Sequence, residues 1–330
     1  MKRSIYIFSS GELHRKQNTL YFETEDGRKY IPVENTAEIL VFGEVSLNKK
    51  LLEFLCQAEI ILHFFNHYGY YVGSFYPREH YNSGHMVLKQ SEHYLDESKR
   101  LALARTFVQG AAANIKKVLA YYGNRGKDLA RCRQVIDSLE CKIEQQQSVD
   151  ELMAIEGNIR EQYYQTFDVI LDKPEFVLDG RTRRPPTNRL NALISFGNSM
   201  LYVTVLSEIY KTHLDPRIGF LHATNFRRFS LNLDVAEIFK PITVDRIIFT
   251  LVNKGMLGSR SFHKQGAGMF LSKSGRRTFV EEFDKRIGTT VEHRGLNRKV
   301  SYRRLIRMEL YKLEKHLIGE EQYKPYVSRW

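Results

Sequence analysis

Along the first 76 residues, apolar positions come in short runs broken by turn residues. IYIF (5–8), NTLYFET (18–24), KYIPVE (29–34), EILVFG (38–43) and IILHFF (60–65) are rich in β-branched and aromatic side chains, and SSGE, EDGR and NHYG separate several of them. Such runs predict strands. One stretch differs: SLNKKLLEFLCQAE (46–59) spaces its apolar residues three and four apart, predicting a single helix with Ser46 as N-cap.

The period changes after GSFYPREHYNSGH (73–85), which has proline, two glycines and no repeat. Residues 95–124, 127–147, 149–171, 188–213 and 233–255 all place apolar residues at helical spacing over ten or more positions. The expected fold is therefore α+β: a small β-rich domain (1–76), a linker (77–85) and a larger all-helical domain (86–330). LDGRTRRPPTN (178–188) enters the fourth helix, with Pro185 and Pro186 stiffening the approach.

Composition narrows the class. A chain of 330 residues with 42% hydrophobic content can bury a full core. Its three cysteines, Cys56, Cys132 and Cys141, fit neither a zinc knuckle nor a redox pair, and are expected to be reduced thiols. IYIF is too short for a signal-peptide core, and no run of about 18 apolar residues occurs. These features lead to the expectation of a cytoplasmic protein with no membrane span. The net charge is +12, and residues 240–330 hold 20 Lys and Arg against 9 Asp and Glu, hence +11 of it. SKSGRR (272–277) and HRGLNRKVSYRRLIR (293–307) mix these cations with Ser and Tyr. Clustering of this kind suits a polyanion such as nucleic acid; a solvated basic helix or attraction to anionic lipid is the alternative.

Candidate chemistry falls in two places. In VDELMAIEGNIREQYY, Glu156 borders the apolar stripe of Leu152, Ile155, Ile159 and Tyr163, and Gly157 follows it. Glycine inside a helix costs about 1 kcal/mol against alanine, which suggests that something approaches the backbone there. A boundary glutamate paired to Arg160 at i+4 is the plainer role for Glu156. In GFLHATNFRRFSLNLDVAEIFKP (219–241), Asp234 and Glu237 share a helix face, and two acids so close repel unless a cation offsets them. Asp234 near the helix start is also served by the helix dipole, and His222 alone is more often structural than a ligand.

Taken together, IEG, RRPPTNRLNALISFGNSMLY, GFLH and SLNLDVAEIFKP, in that order and spacing, resemble the CRISPR-associated integrase and endonuclease family of spacer acquisition. The resemblance covers the whole chain. It implies a metal-dependent DNA endonuclease and integrase of antiviral defence, with Glu156, His222 and Glu237 as ligands of Mg²⁺ or Mn²⁺ and Asp234 as a further ligand, base or helix cap. Tyr163, Asn191 and Ser195 are expected to support the site. Arg183, Arg184, Arg227, Arg228, Arg276, Arg277, Arg303 and Arg304 are expected to contact DNA. The resemblance further implies a homodimer built through the β domain, a small ferredoxin-like CRISPR-associated partner protein, and double-stranded DNA as spacer precursor and repeat. Two carboxylates with one imidazole independently suit a hard cation, and manganese in particular. A non-catalytic nucleic-acid binder and a structure-specific repair nuclease are the alternatives.

Overall fold

The short apolar runs form eight strands and one helix: β1 (Arg3–Ile7), β2 (Gly11–Lys16), β3 (Thr19–Thr24), β4 (Gly27–Ile31), β5 (Thr36–Val41), β6 (Val45–Ser46), α1 (Lys49–Ala58), β7 (Ile61–Phe65) and β8 (Tyr71–Phe75). The computed structural model describes residues 2–77, 81, 83–223 and 229–329. These strands make two four-stranded sheets, ordered β1-β5-β7-β8 and β4-β3-β2-β6. β1, β5 and β7 run parallel, and β8 closes the first sheet antiparallel. A parallel pair needs a crossover, which α1 supplies between β5 and β7. One shared core, including Leu13, Leu20, Ile39, Leu51 and Leu62, holds the two sheets and α1 together. Ser46 does not cap α1, because it belongs to β6. Asn48 caps instead, its Oδ1 accepting from the Leu51 amide at 3.0 Å.

The chain divides into two compact units, residues 1–80 and 81–330. The second holds α2 (Gly84–Leu95), α3 (Glu97–Gly123), α4 (Ala130–Glu140), α5 (Val149–Leu171), α6 (Arg189–Ile209), α7 (Leu231–Phe239), a π turn (Pro241–Asp245) and α8 (Arg246–Asn253). Next come the hairpin β9 (Phe262–Gln265) and β10 (Gly268–Leu271), α9 (Lys273–Gly288), a second hairpin β11 (Thr290–His293) and β12 (Arg298–Ser301), and α10 (Tyr302–Leu317). The expected order, strands first and helices after, holds; the two hairpins are short strand pairs that periodicity did not reveal.

Caps set the helix starts. At α5, Ser148 Oγ accepts from the Glu151 amide at 3.2 Å while Glu151 Oε2 accepts from the Ser148 amide at 3.3 Å, a reciprocal box. α6 is long and apolar enough to cross a membrane by composition, with a mean hydropathy of 1.3, yet 83% of that window is buried among the other helices. It is a core helix.

α7 packs against α3 and α6, and within it only Leu233 is not fully buried. Asn114 of α3 fixes its far side: its Nδ2 donates to Ile238 O and to Tyr326 O, each at 2.9 Å, and its Oδ1 accepts from the Ser328 amide at 2.8 Å. Gly110 makes room for this anchor, since a Cβ there would come within 2.6 Å of Pro325. The C-terminal segment is thereby tied to the residue following Glu237.

Asn114→Ala strips partners from three backbone groups, two of them buried and one half-buried, so it is expected to lower stability by about 3 kcal/mol. It should also accelerate hydrogen exchange at the Ser328 amide, measured by NMR or mass spectrometry. Unchanged protection there would refute the anchoring role.

Candidate active site

Positions four apart on a helix share a face, so Glu156 and Arg160 look outward from α5 together. What they meet is Glu237 of α7: Arg160 Nη2 donates to Glu237 Oε2, while its Nε reaches Glu156 Oε1 at 3.4 Å. Lys240, just past α7, donates to the other oxygen of Glu237. Two carboxylates from different helices are thus bridged by one guanidinium, and Arg160, Glu237 and Lys240 are all buried. Glu156 keeps 15% of its side chain exposed.

The two acids differ electrostatically. Burial pushes Glu237 up, but Lys240 and then Arg160 outweigh it and hold the carboxyl down at about 2. Glu156 lies at the cluster's edge; burial raises it, the Glu237 charge adds to that, and Arg160, Lys240 and His222 only partly compensate. Burial also opposes the Lys240 charge, which Glu237 more than restores.

His222 is set by Asp234, whose carboxylate takes four N–H groups from one loop. Asp234 Oδ2 accepts from the Phe220 and Leu221 amides at 2.6 and 3.1 Å, and Oδ1 accepts from the His222 amide at 2.9 Å. His222 Nδ1 lies 2.8 Å from the same Oδ1 and donates to it, which leaves Nε2 as the nitrogen with a free lone pair. Asp234 therefore caps the incoming loop and not its own helix. Gly219 permits the approach, because a Cβ there would sit 2.8 Å from Asp234 Oδ2. Ser230 likewise serves the loop, accepting from the Gly219 amide at 2.8 Å and donating to Arg217 O at 2.7 Å.

Behind the acids lie Tyr163 of α5 and Asp245 of the π turn, both buried. Burial raises the Asp245 carboxyl to about 7 against the pull of Arg160 and Lys240. The Tyr163 hydroxyl and the Asp245 carboxyl face each other, and the hydroxyl, Asp245 Oδ2 and Arg160 Nη1 all lack a hydrogen bond of good geometry.

The other expected residues have partners of their own or lie outside the described chain. Asn191 and Ser195 hold the 178–182 loop: Asn191 Oδ1 accepts from Arg181 Nη1 at 2.9 Å and from the Thr182 amide at 3.0 Å, and Ser195 Oγ accepts from Arg181 Nη2 at 3.1 Å. Arg183, Arg184 and Arg277 are exposed, and Arg276 is half-buried. Arg303 points inward to the buried Glu208 at 3.5 Å, and Arg304 lies 5.8 Å from the Tyr311 ring centroid. Arg227 and Arg228 lie outside the described residues. At Gly157 the expectation fails within this chain: a Cβ there would meet no atom within 4 Å. Lys240, Asp245, Asn114 and Arg181 were missed; Lys240 was legible at i+3 from Glu237, but the rest depend on contacts distant in sequence.

No three His, Cys, Asp or Glu side chains among the described residues already converge on a single cation position. The donor chemistry still fits one. Glu156, Glu237 and Asp234, when ionised, outnumber Arg160 and Lys240 by one charge, and Asp245 adds a second above its raised value of about 7, an excess that a divalent cation offsets.

A strand-rich unit followed in the chain by a helical unit that carries these acids defines the class, and the comparisons agree with it. The family model for CRISPR associated protein Cas1 matches residues 5–285. A relative named CRISPR-associated endonuclease Cas1 2, from Thermodesulfovibrio yellowstonii, is 63% identical over 330 residues, covering 100% of both chains. The chain belongs to the Cas1 family. The solved structure of a Cas1 protein from Thermotoga maritima superposes with a TM-score of 0.88 at 52% identity, covering 98% of this chain and 99% of that one. A casposase bound to integration product shares the fold, with a TM-score of 0.87 at 19% identity over 99% of this chain and 96% of that one.

Two expectations follow. Asp234→Asn turns an amide NH₂ toward N–H donors, so it should lower the thermal midpoint by several degrees, at about 1–3 kcal/mol per opposed donor; a midpoint equal to wild type would contradict the clamp. Asp245 sets a pH dependence. Its folded carboxyl is raised from 3.8 to about 7, so its contribution is fully present below the unfolded value and is lost as pH rises through 7. In chelator, Asp245→Asn should remove a stability loss between pH 5 and 8 on the order of 3 kcal/mol, accrued at about 1.4 kcal/mol per pH unit up to pH 7. Parallel pH curves for the two proteins would exclude it.

Proposed function

We propose that this protein is a metal-dependent DNA endonuclease and integrase that inserts DNA fragments into a CRISPR array, with Glu156, His222 and Glu237 holding Mg²⁺ or Mn²⁺. The observation that carries this reading is the anionic cluster on α5 and α7, where three acids face two cations, beside an imidazole whose Nε2 is left open by Asp234. A bound divalent cation supplies Lewis acidity at a phosphodiester. Asp234 acts through His222, fixing its tautomer and orientation, in the manner of carboxylates behind metal-bound histidines.

In strand transfer, the 3′-hydroxyl of the incoming duplex forms a new P–O ester as the old one breaks. The proton lost by the attacking hydroxyl is regained by the departing 3′-oxygen, so nothing is consumed. In hydrolysis water takes the attacking role. Exposed arginines such as Arg183, Arg184 and Arg277 suit the phosphate backbone. We assign the strand-rich unit to homodimer formation, for which exposed Tyr30 (68%) and Val72 (53%) offer apolar surface. Assembly with a small ferredoxin-like CRISPR-associated protein, and work on double-stranded DNA in the cytoplasm, belong to the same reading.

The test is strand transfer of short duplex DNA into a supercoiled repeat plasmid, with the partner protein and Mn²⁺. His222→Ala should reduce product by orders of magnitude while duplex binding stays within about twofold of wild type. Binding should weaken with salt, each neutralised phosphate adding about −0.9 to the slope of log K against log salt. Full strand transfer by His222→Ala would sink the catalytic assignment.

A further inference from the structure

We propose that Arg160 is a positioning residue that occupies the place of the cation between Glu156 and Glu237, and that Tyr163 and Asp245 form the buried berth receiving its charge when a divalent cation takes the acids. The inference deepens the metal-site reading above and rests on it.

Arg160 contacts both acids, by Nη2 to Glu237 and by Nε to Glu156 at 3.4 Å. It is 8% exposed, so its charge must be answered inside the protein. A guanidinium carries donors in a rigid fork, which lets it bridge two carboxylates and still present a third nitrogen. That nitrogen, Nη1, makes no hydrogen bond, and the Tyr163 hydroxyl and Asp245 Oδ2, which face each other, fall short of one of good geometry. Tyr163 is fully buried and Asp245 is 1% exposed.

An unsatisfied buried polar atom costs about 1–3 kcal/mol, so three in one neighbourhood call for a reason. Arg160 and Tyr163 are three residues apart on α5 and share a face. After burial, Arg160 exerts the largest charge effect on Asp245. The three unmet groups are a donor, an acceptor, and a hydroxyl that can be either, so they can satisfy one another once Arg160 gives up the acids. The Tyr164 ring, 6.0 Å from the guanidinium carbon, offers an apolar face along which the group stays attractive. Lys240 remains on the other oxygen of Glu237 in both states.

The test is Mn²⁺ binding to the full chain, read by the EPR signal of free Mn²⁺, together with thermal midpoints in chelator. Arg160→Gln removes the competitor, so Mn²⁺ should bind about tenfold tighter, within the range for residues of one ion-pair network, while the metal-free midpoint falls. Asp245→Asn and Tyr163→Phe should weaken Mn²⁺ binding at least threefold. Asp245→Asn should have no such effect in the Arg160→Gln background, which separates action through Arg160 from a direct charge effect on the metal. A purely structural Arg160 predicts the opposite first result, namely weaker binding by Arg160→Gln, and that outcome overturns the proposal. Should Arg160→Gln not fold, Asp245→Asn with wild-type Mn²⁺ affinity overturns it instead. Wild-type protein binding Mn²⁺ no better than Glu237→Gln would remove the metal site itself, and this inference with it.

Discussion

Two carboxylates brought from separate helices into an apolar interior repel each other and lose their hydration, and the protein answers both costs with one side chain. Arg160 lies between Glu156 and Glu237, and Lys240 takes the remaining oxygen of Glu237. The arrangement persists because α7 cannot yield. α3 and α6 pack against it, and Asn114 ties the Ile238 carbonyl to the C-terminal segment. A pair of acids on a mobile element would separate or protonate; on a rigid one the charge imbalance is retained.

Asp234 shows how a short stretch meets several requirements with one group. A carboxylate has room for about four donors, and this one receives the Phe220, Leu221 and His222 amides and the His222 ring. The loop's backbone, the ring's tautomer and the ring's aim are therefore a single structural unit. Exchanging Asp for its nearest isostere disturbs all three, which a helix-capping role would not imply.

Much of the frame was legible in the sequence. The β-to-helix change and the extent of α5 followed from periodicity, because that signal is local. The ligand candidates came from a resemblance in motif order, not from spacing. Arg160 illustrates the limit: read as a partner of Glu156, it does meet that residue at i+4, yet its stronger partner is Glu237, 77 positions away. Ser46 gave way to Asn48 as the cap because the chain stays extended through β6. Asp245 reads as an ordinary polar position in PITVDRII, and only the π turn and the packing around it turn the carboxyl inward.

The basic C-terminal third also divides differently in space than along the chain. Lys240 serves Glu237; Arg303 and Arg307 serve Glu208, which is fully buried; Arg286 donates to Ile242 O at 2.6 Å; and Arg246 lies 3.9 Å from the Tyr121 ring centroid. These cations are spent on the fold, whereas Lys273, Arg277, Arg298 and Lys299 are exposed. The partition reconciles two demands that a uniform charge could not meet. Surface cations give the positive field its reach, while the Glu156–Glu237 cluster keeps its negative charge at close range. Burial accomplishes this, since an interior arginine paired to a carboxylate acts on its neighbours within a few ångströms and contributes little to the field outside.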